Sequence, residues 1–190
     1  MTLANKLTIS RVFLAFVLMY FLFARWAGAT YAAFLTFTAA CLTDYFDGYF
    51  ARKEGKSTDF GKLMDPIADK ILILSAFLAF VELKLIPAWT VVVIVTREVT
   101  VTGMRIFALS RGRVIEAEEA GKHKTVSQMI AVFMILIFLM LREAGKSLSF
   151  WNCYTERLML NIIFVTMFVA VALTLTSGIS FFVRNRKLFS

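Results

Sequence analysis

Four aspartates, Asp44, Asp47, Asp65 and Asp69, recur at spacings of three and four residues in a chain that is 59% hydrophobic. On a helix those spacings return to nearly the same face, so each pair can offer two carboxylates side by side. Carboxylates crowded together in apolar surroundings are costly and repel one another, so something positive has to sit among them. Divalent cations fit best. With a single histidine, His123, a His-rich zinc centre is excluded, and any metal must be held by oxygen. The competing reading is a buried ion network in which the acids pair with Arg52, Lys62 and Lys70. Such a network does not require glycines at fixed offsets, yet Gly48 and Gly61 stand in register with the acids.

The elements that position these acids follow from composition. A chain of 190 residues with twenty Phe and a mean hydropathy of +0.76 is too apolar for a soluble domain and reads as one integral membrane domain, residues 1–190. Six apolar windows are long enough to cross a bilayer as helices: 9–26, 30–50, 66–83, 87–109, 125–141 and 158–183. The fold class expected is an all-α bundle of six transmembrane helices. Gly28 marks a turn, and Pro66 and Pro87 fall near helix starts, where a missing N–H costs little. The first window is as long as a full span and lacks a clean cleavage site, so it is expected to stay in the mature protein.

Orientation follows from the basic residues. With the N-terminus inside, thirteen Lys and Arg fall in inner segments and five in outer ones, which places both termini in the cytoplasm. The formal charge of +8 then describes a basic cytoplasmic rim suited to anionic headgroups or phosphate substrates, with no nucleic-acid module in sight. Cys41 lies in an apolar run and Cys153 in an outer loop, so no disulfide is expected between them. Once the spans are drawn, Asp44 and Asp47 lie near the cytoplasmic end of the second and Asp65 and Asp69 near the cytoplasmic start of the third. The four converge on one depth.

Asp44, Asp47, Gly48, Ala51, Arg52, Gly61, Asp65 and Asp69 together spell D-x2-D-G-x2-A-R-x8-G-x3-D-x3-D. This pattern resembles, without departure, the signature of the CDP-alcohol phosphotransferases. The resemblance implies a homodimer of six-helix subunits that moves a phosphatidyl group from a CDP-linked lipid to an alcohol and releases CMP. It also implies that Asp44, Asp47, Asp65 and Asp69 ligate Mg²⁺ or Mn²⁺, two ions being expected. Gly48, Ala51, Arg52 and Gly61 would cradle the CDP, and Asp69 would act as base. The chemistry is consistent with those roles. Paired carboxylates hold cations that bridge diphosphate oxygens, bare glycines admit phosphates to the backbone, and a guanidinium forks onto a phosphate.

The rest of the chain bears on the acceptor. Asn5, Thr8 and Arg11 form N-x2-T-x2-R, similar to the opening of the family branch that uses glycerol 3-phosphate, although Asn and Thr could equally be helix caps and Arg11 a membrane anchor. The fourth window carries Arg97, Glu98 and Arg105. Glu98 and Arg105 are seven residues apart, share a face and are candidates to pair, with Arg97 pointing elsewhere. Arg97-Glu98, T-G-M-R at 102–105 and G-K-x-K-T-x2-Q at 121–128 resemble the same branch over nearly the whole chain. The resemblance implies that Arg97, Arg105, Lys122 and Lys124 bind the phosphate of sn-glycerol 3-phosphate, with CDP-diacylglycerol as donor, at the cytoplasmic face of a bacterial inner membrane. The plain alternative is that Lys122 and Lys124 only anchor a loop.

Other acceptors, namely inositol phosphate, serine or phosphatidylglycerol, stay open within the family. Outside it, a transporter or channel would also bury charge at helix ends, but would not account for the CDP pattern. The segment 110–121 is expected to lie over the site, Trp151 and Tyr154 to sit in an interfacial belt, and Ser177 with Gly178 to permit close helix approach, a dimer seam being one possibility.

Overall fold

The computed structural model describes residues 3–54, 59–111, 119–145 and 151–186, with side chains described over 9–43, 70–108, 111, 123–145 and 151–186. Six helices follow in order: α1 (Leu3–Phe23), α2 (Ala29–Glu54), α3 (Asp59–Glu82), α4 (Ala88–Ser110), α5 (Glu119–Gly145) and α6 (Cys153–Arg184). No strand occurs among the described residues. Two stretches, His123–Gly145 and Cys153–Arg184, are long and apolar enough to cross a membrane, and α1 and α2 hold shorter apolar runs at Ile9–Phe23 and Ala29–Thr43.

Helices α2, α5 and α6 contain their apolar windows and run further, whereas α1 ends at Phe23, α3 ends at Glu82 and α4 starts at Ala88, each short of one edge of its window, because hydropathy marks the part compatible with hydrocarbon rather than the end of the hydrogen-bonded ladder. Four corrections follow. Pro66 lies inside α3 rather than at its start, since the charged stretch from Asp59 is already helical. Asn5 and Thr8 lie within α1, so neither is its N-cap. Lys122 and Lys124 sit on α5 and not in a loop. Pro87 does directly precede α4, where its carbonyl accepts from the Thr90 hydroxyl at 2.7 Å. Cys153 opens α6 instead of lying in a loop. Of the segment expected to cover the site, residues 112–118 lie outside the described residues.

The helices are apolar on both faces. In α1, Ala15, Leu18 and Leu22 are buried while Phe13, Phe16 and Tyr20 are about two-thirds exposed. A water-facing helix would carry polar residues on that second stripe, so these helices suit a lipid surround. Inside, α1 packs on α2 and α3, α5 lies against α2, α3 and α6, and α4 joins α3 to α6. Buried alanines at 15, 33, 40, 76, 79, 131 and 170 let the backbones approach, as packing in lipid demands. Phe133 of α5 fills the seam to α2, edge-on to Phe34 and Phe37 at 5.8 and 5.0 Å.

The end of the bundle where α1 turns into α2 is tied by a carboxylate from a distant element. Gly28, at φ 93°, makes the turn that was expected of it. Its N–H and the Thr30 hydroxyl both donate to the Glu143 carboxylate near the end of α5. A negative charge thus meets the unsatisfied N–H groups and positive dipole of α2. Nearby, half-buried Trp151 packs on Phe138 and Gly145, whereas Tyr154 is exposed. Asn152 and Thr155 form a reciprocal cap on α6, and Arg142 bonds Glu156 at 3.3 Å.

Candidate active site

Helical backbone runs through Asp44 and Asp47 in α2 and through Asp65 and Asp69 in α3. Rises of 1.5 Å per residue put Asp47 and Asp44 about 10 and 15 Å before the end of α2, and Asp65 and Asp69 about 9 and 15 Å after the start of α3. Four residues, 55–58, join those two ends. The helical backbone keeps each pair at the three- and four-residue spacing read from the sequence, and an all-oxygen donor set of this kind fits hard divalent cations. The side chains of these aspartates and of Gly48, Ala51, Arg52 and Gly61 lie outside the described residues, so the ligand and CDP-cradle assignments are carried by register alone.

Arg11 sits on the buried face of α1, which packs on both aspartate-bearing helices, at about 12 Å from the helix start. It is 1% exposed. A headgroup anchor would extend into solvent, so the anchor reading of Arg11 is replaced by one in which its guanidinium belongs to the interior.

The described part of the site is built around Glu98. This carboxylate is buried on α4 and accepts a hydrogen bond from Lys124 of α5 through Oε1. Arg97 Nη1 lies 3.4 Å from the same oxygen, and Lys70 Nζ of α3 lies 3.6 Å from Oε2. Lys70 also donates to the Thr102 hydroxyl one turn further along α4. Arg97 Nη2 donates to Ser177 Oγ of α6 at 2.6 Å. One carboxylate thus gathers three cations from three helices, and Ser177 ties in a fourth helix. Lys70 directly follows Asp69 in the chain.

Two expectations are corrected here. Glu98 pairs with Lys124, Arg97 and Lys70, not with Arg105. Arg105 is exposed about 10 Å nearer the end of α4, with its guanidinium 5.8 Å above the Phe181 ring. Seven residues is nearly two turns, too far for the pair once Lys124 offers a shorter contact. Arg97, expected to point elsewhere, joins Glu98 through its long side chain. The Ser177–Gly178 pair does permit close approach, but inside the subunit: both are buried, and a Cβ at Gly178 would stand 3.2 Å from Arg97 Cγ. Of the four cations expected around the acceptor phosphate, the structure joins Arg97 and Lys124, sets Arg105 apart, and leaves the Lys122 side chain outside the described residues. Gln128 turns to Thr174 of α6 at 3.2 Å and serves the α5–α6 seam.

A family model for CDP-alcohol phosphatidyltransferases matches residues 1–176. The chain belongs to that family. Among curated proteins it is 35% identical over 195 residues to the CDP-diacylglycerol–glycerol-3-phosphate 3-phosphatidyltransferase of Bacillus subtilis (strain 168), covering 96% of this chain and 94% of the relative. A relative of the same name in Rickettsia felis is 31% identical over 187 residues, covering 98% and 97%. A probable phosphatidylglycerophosphate synthase of Mycobacterium tuberculosis (strain H37Rv) is 41% identical over 138 residues, covering 71% of this chain and 66% of the relative.

For a CDP-alcohol phosphatidyltransferase, the signature residues were legible in the sequence, whereas Lys70, Thr102, Ser177 and the central place of Glu98 were not assigned to the site. Lys70 beside Asp69, and an acid flanked by bases in an apolar run, were the available signals. Which cation an acid meets across helices depends on packing, and spacing along one helix does not contain it.

Proposed function

We propose that this enzyme transfers the phosphatidyl group of CDP-diacylglycerol to sn-glycerol 3-phosphate, forming phosphatidylglycerophosphate and CMP in the route to phosphatidylglycerol and cardiolipin. The observation that supports the acceptor is the cationic cluster at Glu98: Lys70, Arg97 and Lys124 against one carboxylate leave two formal positive charges. A phosphate monoester near −2 is the small acceptor headgroup that such a cluster holds best. The names carried by the relatives agree with that chemistry.

Asp44, Asp47, Asp65 and Asp69 are the residues that would hold Mg²⁺ or Mn²⁺, which when bound neutralises diphosphate charge and assists departure of CMP. Gly48, Ala51, Arg52 and Gly61 would receive the cytidine diphosphate. Arg97 and Lys124, with Arg105 and Lys122 toward the helix ends, orient the acceptor by its phosphate. Its free primary hydroxyl attacks the phosphorus that carries diacylglycerol, the bond to the CMP oxygen breaks, and Asp69 takes the hydroxyl proton. In this reading all six helices cross a bacterial inner membrane, both termini and the active site face the cytoplasm, and two subunits form a homodimer.

Purified enzyme in detergent, given CDP-diacylglycerol and sn-glycerol 3-phosphate with Mg²⁺, should release CMP. Exhaustive chelation by EDTA should abolish release, and Mg²⁺ or Mn²⁺ should restore it. Undiminished release after chelation would remove the metal from the proposal.

A further inference from the structure

Glu98 has no place among the groups that bind an anion, yet it occupies the centre of the cluster that does. An acid buried beside an anion site opposes the anion, so its presence needs a reason. Two features of its surroundings supply one. It touches cations from α3, α4 and α5, so removing it would leave three like charges facing one another in a space closed on the α6 side by Ser177. It also engages only part of the donor capacity of Lys124, whose ammonium carries three N–H groups. The carboxylate holds the lysine in place without using it up.

We infer that Glu98 is a positioning and charge-matching residue for the acceptor. It fixes Lys70, Arg97 and Lys124 at one locus and trims their joint charge from three to two, the charge of a phosphate monoester dianion. Lys70, which directly follows Asp69, is held in the same network by Glu98 and Thr102, and so keeps the acceptor's phosphate in register with the reacting centre. This inference rests on sn-glycerol 3-phosphate being the acceptor.

Inorganic phosphate, used as a competitive inhibitor against sn-glycerol 3-phosphate, reads the cluster's charge apart from the chemistry. In Glu98→Gln the excess positive charge should tighten inorganic phosphate by about tenfold, a modest fraction of what one charge a few ångströms away can supply. The kcat should fall meanwhile, because Lys124 and Arg97 lose their common partner. The double variant Glu98→Gln/Lys70→Met returns the formal charge to two, and its inhibition constant should come back to within about twofold of wild type. If Glu98→Gln does not assemble, Lys70→Met alone decides: its lower charge should weaken inorganic phosphate by about tenfold. A residue that merely held helices together would lower thermal stability and leave these constants where they were, and that result overturns the inference. Failure of wild type to use sn-glycerol 3-phosphate at all would instead overturn the acceptor assignment, and this inference with it.

Discussion

At the scale of single residues, the aspartates and the basic cluster make separable demands. Asp47→Asn removes a proposed ligand and a charge, so turnover should fall by about two orders of magnitude or more while the protein still inserts. CMP release by purified variant checks this, and near-normal turnover would refute the ligand role. Asp69→Asn should lower turnover more than it weakens CDP-diacylglycerol binding, because the base acts on the acceptor's proton and not on the donor lipid. Parallel loss of binding and rate would leave Asp69 a ligand only. Lys124→Met should raise KM for sn-glycerol 3-phosphate by about tenfold or more with little change for CDP-diacylglycerol. The aspartates could be found in the sequence because their own spacing is the signal. The Glu98–Lys124 pair could not, since those residues are 26 apart and meet only when α4 and α5 both pack on α3 and α6.

At the scale of elements, the apolar windows located all six helices, but the charged turns at their ends were legible only as flanks. Asp59–Asp65 carries too much charge to score as a span, yet it continues α3 and places Pro66 inside the helix. The ties between helix ends were likewise absent from local sequence, as Glu143 acts on Gly28 and Thr30 more than a hundred residues away. Glu143→Gln keeps the shape of that tie and removes its charge. It should cost about 1–2 kcal/mol of stability, seen as a lower thermal midpoint in detergent, and leave KM for both substrates unchanged. Gly145→Ala should cost about 1–3 kcal/mol by overpacking, because its methyl group would lie 2.8 Å from Trp151 Cγ. An unaltered midpoint in Gly145→Ala would show that the α5–α6 junction yields freely.

At the scale of the whole molecule, the proposed donor site and the proposed acceptor cluster fall on two sets of helices that share α3. The signature occupies α2 and α3, the basic cluster around Glu98 draws on α3, α4 and α5, and Lys70 directly follows Asp69 in the chain. An apolar outer surface surrounds this interior, with exposed residues such as Phe13, Phe16, Leu35 and Phe164 facing outward. Release of CMP from CDP-diacylglycerol, with sn-glycerol 3-phosphate, inositol phosphate, serine and phosphatidylglycerol offered one at a time to purified enzyme in Mg²⁺, tests the central claim most directly. The account predicts rapid release with sn-glycerol 3-phosphate and little with serine or phosphatidylglycerol, which lack a terminal phosphate monoester. Preference for serine or phosphatidylglycerol would contradict the reading of the cationic cluster, and preference for inositol phosphate would keep the cluster's role but contradict the assigned acceptor.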